Sequence, residues 1–348
     1  MHHPAHGTAT ETVKAIARGG IGSIVLNRPA ALNALDLGMI GSMASALEQW
    51  RTDDAVRAVV IRSSSPKAFC SGGDIRAVRA AAVRGDHEAV RALFAAEYAM
   101  DAAIAAYPKP YVALIDGFAL GGGLGISVHG TARVVTERAT LAMPETGIGF
   151  FPDIGAAYFL PRLPGAVGWY LALAGTRISA AAAVETSLAT HYVTADRLPA
   201  LERALDASGG EDVTGVLDRF ASPPPPSELC GHYAAIERCF SAPTLDEVFE
   251  RLAAERSDWA AETLDGLRRV SPAGLVLTFE LLRRGASTTL AECLDRDLRL
   301  ACRVARSHDF QEGVRAALVD KDRNPSWRPA ALAELAEPDR AELHTWLD

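Results

Sequence analysis

The stretch Asp116-Gly117-Phe118-Ala119-Leu120-Gly121-Gly122-Gly123-Leu124-Gly125-Ile126 decides the fold, because three consecutive glycines join a strand to a helix. The apolar residues 110–115 before it are typical of a buried strand. Free amides at the start of a helix, supported by the helix dipole, attract negative charge. The run has neither spacing of the known nucleotide loops, whereas a developing oxyanion is a good physical match. Tight packing of the glycines against a sheet is the structural alternative.

A second glycine turn, Ser71-Gly72-Gly73-Asp74, follows the apolar strand predicted at residues 58–61. Glycine lets the backbone turn sharply and lets a ligand approach the amides closely. Taken alone, this turn is equally well explained as a plain loop between a strand and a helix.

Two carboxylates lie in the otherwise apolar stretch Ala142-Met143-Pro144-Glu145-Thr146-Gly147-Ile148-Gly149-Phe150-Phe151-Pro152-Asp153. Carboxylates among apolar neighbours tend to have raised pKa values, which suits general acid–base catalysis. Glu145 and Asp153 are therefore candidate catalytic residues. Asp153 also precedes a predicted helix at residues 154–160, so capping of that helix is the structural alternative, and the two roles are compatible.

The order of the predicted elements indicates an α/β fold with a largely parallel sheet. A hairpin is predicted at residues 13–26, and Asp36 is expected to cap a helix that ends near residue 50. Strand signals stop near residue 197, and a run of four prolines at 223–226 separates this part from amphipathic helices. We expect a flexible N-terminus at 1–10, a core with the active site at 11–200, and a mainly helical region at 201–348.

The bulk composition excludes several classes of protein. The 348 residues are 49% hydrophobic and 22% charged, as in ordinary globular proteins, and the net charge of −8 argues against nucleic acid as a partner. No apolar run approaches the ~20 residues of a membrane helix, so no membrane association is expected. The five cysteines form no C-x-x-C pair, which favours reduced thiols, no metal site and a cytoplasmic location.

Together these segments resemble the crotonase, or enoyl-CoA hydratase/isomerase, family. The matching stretches are Leu26-Asn27-Arg28-Pro29, Leu32-Asn33-Ala34-Leu35, Lys109-Pro110 and residues 67–75, 116–123 and 144–149. The resemblance implies a spiral of ββα turns in which the amides of Gly73 and Gly122 bind a thioester oxygen. Coenzyme A would be part of the substrate and not a cofactor, with its adenine end near the backbone of Ala34 and Ile75. The resemblance is also compatible with a homo-oligomer and does not decide the oligomeric state.

Within this family, residues 121–130, 143–164 and 309–327 look like the 3-hydroxyisobutyryl-CoA hydrolase branch, as does the long helical C-terminal part. In that branch the residues that match Glu97, Gly122, Glu145 and Asp153 line the substrate site. For Glu97, which is predicted in the middle of a helix, a solvated helix face is the alternative.

One departure from the family pattern separates the candidate reactions. Hydratases of the family carry a second glutamate where this chain has Gly125, so the two-glutamate hydration of a double bond is disfavoured. The hypothesis is hydrolysis of a short β-hydroxyacyl-CoA, with Glu145 as nucleophile or as base for a water molecule. Asp153 would position the substrate hydroxyl or protonate the departing thiolate. The alternatives are a hydratase, a dienoyl-CoA isomerase of the same fold, and a protein that binds acyl-CoA without turning it over.

Overall fold

In the computed structural model of the chain, which describes residues 11–348, the fold begins with the predicted hairpin. Strands β1 (Val13–Arg18) and β2 (Ile21–Leu26) pair antiparallel. Helix α1 (Leu37–Arg51) then starts at Asp36, whose carboxylate accepts a hydrogen bond from the amide of Met39, as predicted. The expected flexible N-terminus, residues 1–10, lies outside the described residues.

A ββα unit then repeats along the chain and gives one strand to each of two sheets. The first sheet has the order β1-β2-β3-β5-β7-β10, and the second has the order β4-β6-β8-β9. All neighbouring pairs are parallel except β1 with β2 and β8 with β9. The remaining strands are β3 (Ala58–Ser63), β4 (Ala68–Cys70), β5 (Tyr111–Ile115), β6 (Phe118–Leu120), β7 (Ala132–Val135), β8 (Thr140–Ala142), β9 (Ile178–Ser179) and β10 (His191–Tyr192).

This topology confirms the α/β class and the crotonase-like spiral of ββα turns. It differs from the expectation of one sheet, because β4 and β6 build a second sheet at residues where the sequence predicted no strand. Each of these strands has three residues, too few for an alternating or apolar pattern to be recognised.

The helices of the first part connect and cover these sheets. Residues 75 to about 107 have helical sequence, and Gly85, at a φ of +75°, separates this stretch into two helices. The helices here are α2 (Ile75–Val83), α3 (His87–Ala105), α4 (Gly122–Val128), α5 (Ala156–Phe159), α6 (Val167–Ala174) and α7 (Ala180–Glu185).

Beyond residue 192 the described chain contains no further strand, as the sequence predicted. The helices here are α8 (Leu198–Ser208), α9 (Val213–Phe220), α10 (Tyr233–Phe240), α11 (Leu245–Ala254), α12 (Asp258–Arg269), α13 (Pro272–Gly285), α14 (Leu290–Val304), α15 (His308–Val314) and α16 (Glu337–Thr345). A π-helical turn follows α15 at Arg315–Val319, and 3-10 turns lie at Pro29–Ala31, Glu145–Ile148, Leu160–Arg162 and Leu332–Glu334. One apolar core runs from Val13 to Leu347, so this part packs on the spiral, with α14 along α3. The division at residue 200 stays a prediction.

Asn33 ties the first loop of the spiral to the segment that carries the Gly73 turn. Its buried side-chain amide donates to Oγ of Ser63 at 2.8 Å and to the carbonyl of Phe69 at 2.9 Å. Its Oδ1 accepts from the amide of Arg28 at 2.8 Å. The backbone of Asn33 has a φ of +56°, a conformation that asparagine tolerates better than most residues.

Replacement of Asn33 by alanine is expected to lower the free energy of unfolding by about 3 kcal/mol, because several buried polar groups lose their partners. Asn27→Ala is the matched control, since the Asn27 amide makes one exposed bond to the carbonyl of Glu11 and should cost less than about 1 kcal/mol. Urea unfolding of both variants measures the difference. Equal losses would show that Asn33 has no special part in the fold.

Candidate active site

The pairing of β4 with β6 brings the two glycine turns into backbone contact. Gly72 has a φ of +97°, and a Cβ added to it would lie 3.0 Å from the carbonyl of Leu120. A Cβ on Gly122 would lie 3.2 Å from the amide nitrogen of Gly73. The two turns, far apart in sequence, therefore form one concave surface of backbone.

The amides of Gly73 and Gly122 are free donors on this surface. No acceptor within residues 11–348 takes a hydrogen bond from either of them. Leu35 fixes the Gly73 turn, since its amide donates to the carbonyl of Gly72 and its carbonyl accepts from Asp74, both at 2.8 Å. Two free, fixed N–H groups at one place are what stabilisation of an oxyanion requires. The structure thus brings the predicted oxyanion residues together.

The carboxyl group of Glu97 lies directly over these two glycines. A Cβ on Gly73 would be 3.2 Å from Oε2 of Glu97, and a Cβ on Gly122 would overlap with Oε1. Glu97 is only 2% exposed, so the alternative of a solvated helix face is wrong. Position 122 must be glycine as long as Glu97 keeps this place.

Glu145 borders the second glycine turn at the start of its 3-10 turn. Its Oε1 is 2.5 Å from the position that a Cβ on Gly121 would occupy. Its Oε2 is buried and has no hydrogen-bond partner among the described residues. The carbonyl of Glu145 accepts from the amide of Phe150 at 3.0 Å, which fixes the backbone of the turn. Glu145 thus lies against Gly121, the residue that precedes the free amide of Gly122.

Asp153 enters the same site from the next loop and is bound by a tyrosine. Its Oδ2 accepts a hydrogen bond from the hydroxyl of Tyr98 at 2.6 Å. Helix α5 begins after Gly155 with no side-chain cap, so the alternative of Asp153 as a helix cap is wrong. The side chain of Asp153 is therefore available to the site.

Burial raises the pKa values of Glu97, Glu145 and Asp153, but by different amounts. Burial raises the pKa of Glu97 to about 8, and the charge of Asp153 adds to the shift. Burial and the charge of Asp153 raise the pKa of Glu145 well above its usual value. The pKa of Asp153 rises only to about 6, because the Tyr98 hydroxyl opposes the effect of burial. Asp153 is therefore the most acidic of the three predicted site carboxyls.

Sequence reasoning missed three polar side chains that surround this site: Tyr98, Asp101 and Asp297. With Glu97, the first two form one buried face of α3 at helical spacing, a polar pattern inside an apolar stripe that the sequence does contain. Asp297 comes from α14, and its Oδ2 accepts from the amide of Gly155 at 2.8 Å. We call Glu97, Asp101, Glu145, Asp153 and Asp297 the acidic cluster; every member is buried.

Asp101 occupies the space that a side chain at position 125 would need. A Cβ on Gly125 would lie 2.9 Å from both carboxyl oxygens of Asp101. Both oxygens are buried without a hydrogen-bond partner in the described part of the chain, and burial raises the pKa of Asp101. Gly125 lacks an acid of its own, as the sequence showed, but an acid from α3 lies against it.

The predicted coenzyme A residues lie together at the edge of the first turn. The short bridge between Leu35 and Gly73 places Ala34 and Ile75 on adjacent segments. One guanidinium nitrogen of Arg28 donates to the carbonyl of Ala34 at 2.9 Å and to Asp74 at 3.0 Å. Contact of Ala34 and Ile75 with coenzyme A stays a prediction.

Two further expectations concern metals and membranes. Among residues 11–348 no three His, Cys, Asp or Glu side chains are grouped so that they could hold a metal ion. None of the helices in this range combines the length and the apolar character that crossing a membrane requires.

A two-sheet spiral with an oxyanion-type pair of amides beside buried carboxyl groups defines an acyl-CoA enzyme of the crotonase class. The family model described as enoyl-CoA hydratase/isomerase matches residues 21–343. The chain belongs to this family, which confirms the resemblance seen in the sequence.

The relatives fall under two kinds of name. The chain is 42% identical to the mitochondrial 3-hydroxyisobutyryl-CoA hydrolase of Rattus norvegicus, over 97% of this chain and 90% of the relative. The Homo sapiens protein of the same name is 41% identical, over 97% and 90%. A solved structure from Mycobacterium thermoresistibile, described as a carnitinyl-CoA dehydratase, superposes with a TM-score of 0.91 at 39% identity, over 97% of each chain.

The names of the curated relatives also bear on location. They describe mitochondrial proteins, which does not support the cytoplasmic location expected from the sequence. The expected homo-oligomer stays a prediction.

Gly125→Ala is expected to lower the free energy of unfolding by about 2 kcal/mol, because its methyl group meets the Asp101 carboxyl group. In an Asp101→Ala background the same change should cost less than about 1 kcal/mol, since the space is then free. Urea unfolding of the four proteins gives the coupling. Gly266→Ala in α12 is the control, because nothing lies within 4 Å of its Cβ and a helical alanine should stabilise. An identical cost in both backgrounds would refute the shared space.

Proposed function

We propose that this protein hydrolyses 3-hydroxyisobutyryl-CoA to 3-hydroxyisobutyrate and coenzyme A. The observation that carries the proposal is the pair of free amides of Gly73 and Gly122 with the carboxyl group of Glu145 beside them. The substrate is inferred from the names of the curated relatives, which are 41–42% identical over nearly the whole chain. Breakdown of valine is the setting that this substrate suggests.

The amides of Gly73 and Gly122 would receive the thioester oxygen as it becomes an oxyanion. Because such donors are fixed before the reaction, one of them contributes on the order of 3 kcal/mol to the barrier in known acyl-transfer sites. The carboxyl group of Glu97 lies over the same amides. Binding of the substrate to these amides therefore requires the Glu97 side chain to move. The neutral acid form of Glu97 can then donate a hydrogen bond to the ligand.

Glu145 is the group placed to start the reaction. As a carboxylate it either attacks the thioester carbon to form an anhydride, which water then opens, or removes a proton from a water that attacks directly. In both routes the carbon–sulfur bond breaks and the thiolate leaves with the electron pair. The sum is acyl-CoA plus water to the free acid plus the thiol.

Asp153 completes the proton balance of this proposal. Burial and the charge of Asp153 raise the pKa of Glu145 above that of Asp153, so that the pair holds one negative charge over a range of pH. In the reactive form the charge is on Glu145 and the proton on Asp153, from which it passes to the departing thiolate. Asp153 would also bind the β-hydroxyl group of the substrate.

A second reaction is favoured by the solved structures. The neighbours from Mycobacterium thermoresistibile and Rhodobacter sphaeroides are described as a carnitinyl-CoA dehydratase and an enoyl-CoA hydratase, at 39% and 38% identity. Addition of water to an enoyl-CoA by the two-glutamate route needs two acids at the double bond, and the acid that lies against Gly125 is the fully buried Asp101. Loss of the absorbance of crotonyl-CoA, without release of thiol, would favour hydration.

Release of free thiol from 3-hydroxyisobutyryl-CoA tests the proposal directly. Wild type should release thiol, and Glu145→Gln should lower kcat at least about 1000-fold, because the neutral amide can neither attack nor remove a proton. Glu237→Gln is the matched control, since Glu237 accepts from the amide of Ala166 outside the site. The control should keep wild-type activity. Equal rates for wild type and Glu145→Gln would refute the role of Glu145.

The rate of thiol release is expected to depend on pH as a bell. Below about pH 6 both Glu145 and Asp153 are protonated, so activity should rise as the pH passes the Asp153 pKa of about 6. At alkaline pH the raised pKa of Glu145 is passed as well, the shared proton is lost, and activity should fall. The logarithm of kcat against pH from 4.5 to 10 measures both limbs. A flat profile between pH 5 and 7 would contradict the shared-proton model.

A further inference from the structure

The hydroxyl of Tyr98 donates to Oδ2 of Asp153 at 2.6 Å, and both side chains are buried. We propose that Tyr98 is a positioning residue, which fixes the Asp153 carboxyl group by this bond and favours its charged form. The kinetic part of this inference rests on the proposed hydrolysis, whereas the effect on Asp153 does not.

The position of the Tyr98 hydroxyl is fixed by a row of stacked aromatic rings. Its ring stacks on Phe94, one turn earlier on α3, with 5.8 Å between the centroids. Phe94 stacks on Phe150 at 5.7 Å, and Phe150 stacks on Phe151 at 4.4 Å. Phe150 and Phe151 lie in the loop that leads to Asp153. The donor and its acceptor are therefore held by the same row of rings.

Hydrogen bonds also fix the backbone around Asp153. Its carbonyl accepts from the amide of Ala156 at 2.8 Å, and the next residue, Ile154, has a φ of +55°. The carbonyl of Ile154 is bound by Nε2 of His129 at 2.8 Å. Asp153 thus has little freedom to move away from Tyr98. The strength of this hydrogen bond therefore acts directly on the protonation of the Asp153 carboxyl group.

The other titratable groups around Asp153 oppose a negative charge or are neutral. Glu97 and Asp101 face it from α3, Glu145 from the 3-10 turn, and Asp297 from α14. Burial lowers the pKa of His129 to about 4, so it is neutral at pH 7. The charge of Arg296 acts on Asp297, whose pKa burial nevertheless raises. The side chain that favours the charged form of Asp153 is Tyr98.

Titration of the aspartate carboxyl carbons by 13C NMR tests this inference without catalysis. The resonance that disappears in Asp153→Ala belongs to Asp153 and should titrate near pH 6 in wild type. In Tyr98→Phe its pKa should rise by about one unit or more, because the charged form loses its donor. Tyr107→Phe is the matched control: the hydroxyl of Tyr107 donates to the carbonyl of Leu47 at 2.8 Å, so the Asp153 resonance should not move.

A second variant covers failure of Tyr98→Phe to fold. With 3-fluorotyrosine at position 98 alone, the ring and hydroxyl remain but the hydroxyl is more acidic and a stronger donor. The pKa of Asp153 should then fall below the wild-type value. An Asp153 pKa that is the same in wild type, Tyr98→Phe and the fluorinated protein overturns the inference.

Thiol release separates positioning from a merely structural role. Tyr98→Phe should lower kcat about tenfold, because the Asp153 carboxyl group is no longer held in place, and should move the acid limb of the pH profile upward, with KM changed less than about twofold. In an Asp153→Ala background the same change should lower kcat less than about twofold, because Tyr98 acts through Asp153. Equal losses in both backgrounds overturn the inference. An Asp153 pKa that moves as expected in a protein that releases no thiol leaves Tyr98 as the positioning residue and refutes the proposed hydrolysis.

Discussion

The site depends on backbone-to-backbone contact between two turns that belong to different ββα units. Parallel pairing of β4 with β6 brings their ends together, so the peptide groups after Cys70 and after Leu120 nearly touch. A Cβ on Gly123 would collide with the carbonyl of Cys70, and a Cβ on Gly72 would crowd that of Leu120. Only glycine fits such an approach, and it leaves amides without an acceptor. The free donors are therefore a product of the sheet pairing.

The free amide donors lie beside the acidic cluster, whose carboxyl groups are all buried. A buried acid without a partner is costly in its charged form, so most of the cluster is driven toward the neutral acid. The helical C-terminal part contributes here, since Asp297 of α14 binds the amide of Gly155 and so fixes the turn after Asp153. The part beyond the spiral thus contributes a side chain that holds the loop of Asp153.

The local features of this site could be predicted from the sequence, and its tertiary features could not. The glycine turns, Glu145 and Asp153 are recognisable because each lies in a segment whose composition is unusual by itself. Tyr98 and Asp297 meet Asp153 through the packing of α3 and α14, which no local pattern records. The alternative of Asp153 as a helix cap is wrong for a similar reason: Gly155 starts the helix, and a tyrosine distant in sequence donates to the carboxylate.

The space beside position 125 bears on the choice between hydrolysis and hydration in this fold. The sequence suggested that an acid is missing there, but the structure has Asp101 against Gly125, so a glutamate at 125 and Asp101 exclude each other. An acid on α4 would project from the helix that carries the oxyanion amides, whereas Asp101 comes from α3 and is 0% exposed. It can fill the space and share in the charge balance of the cluster, but it has no surface to offer a substrate. The carboxyl groups of the acidic cluster that keep the most exposure are Glu145 and Asp153, which is the pair that the proposed thioester hydrolysis uses.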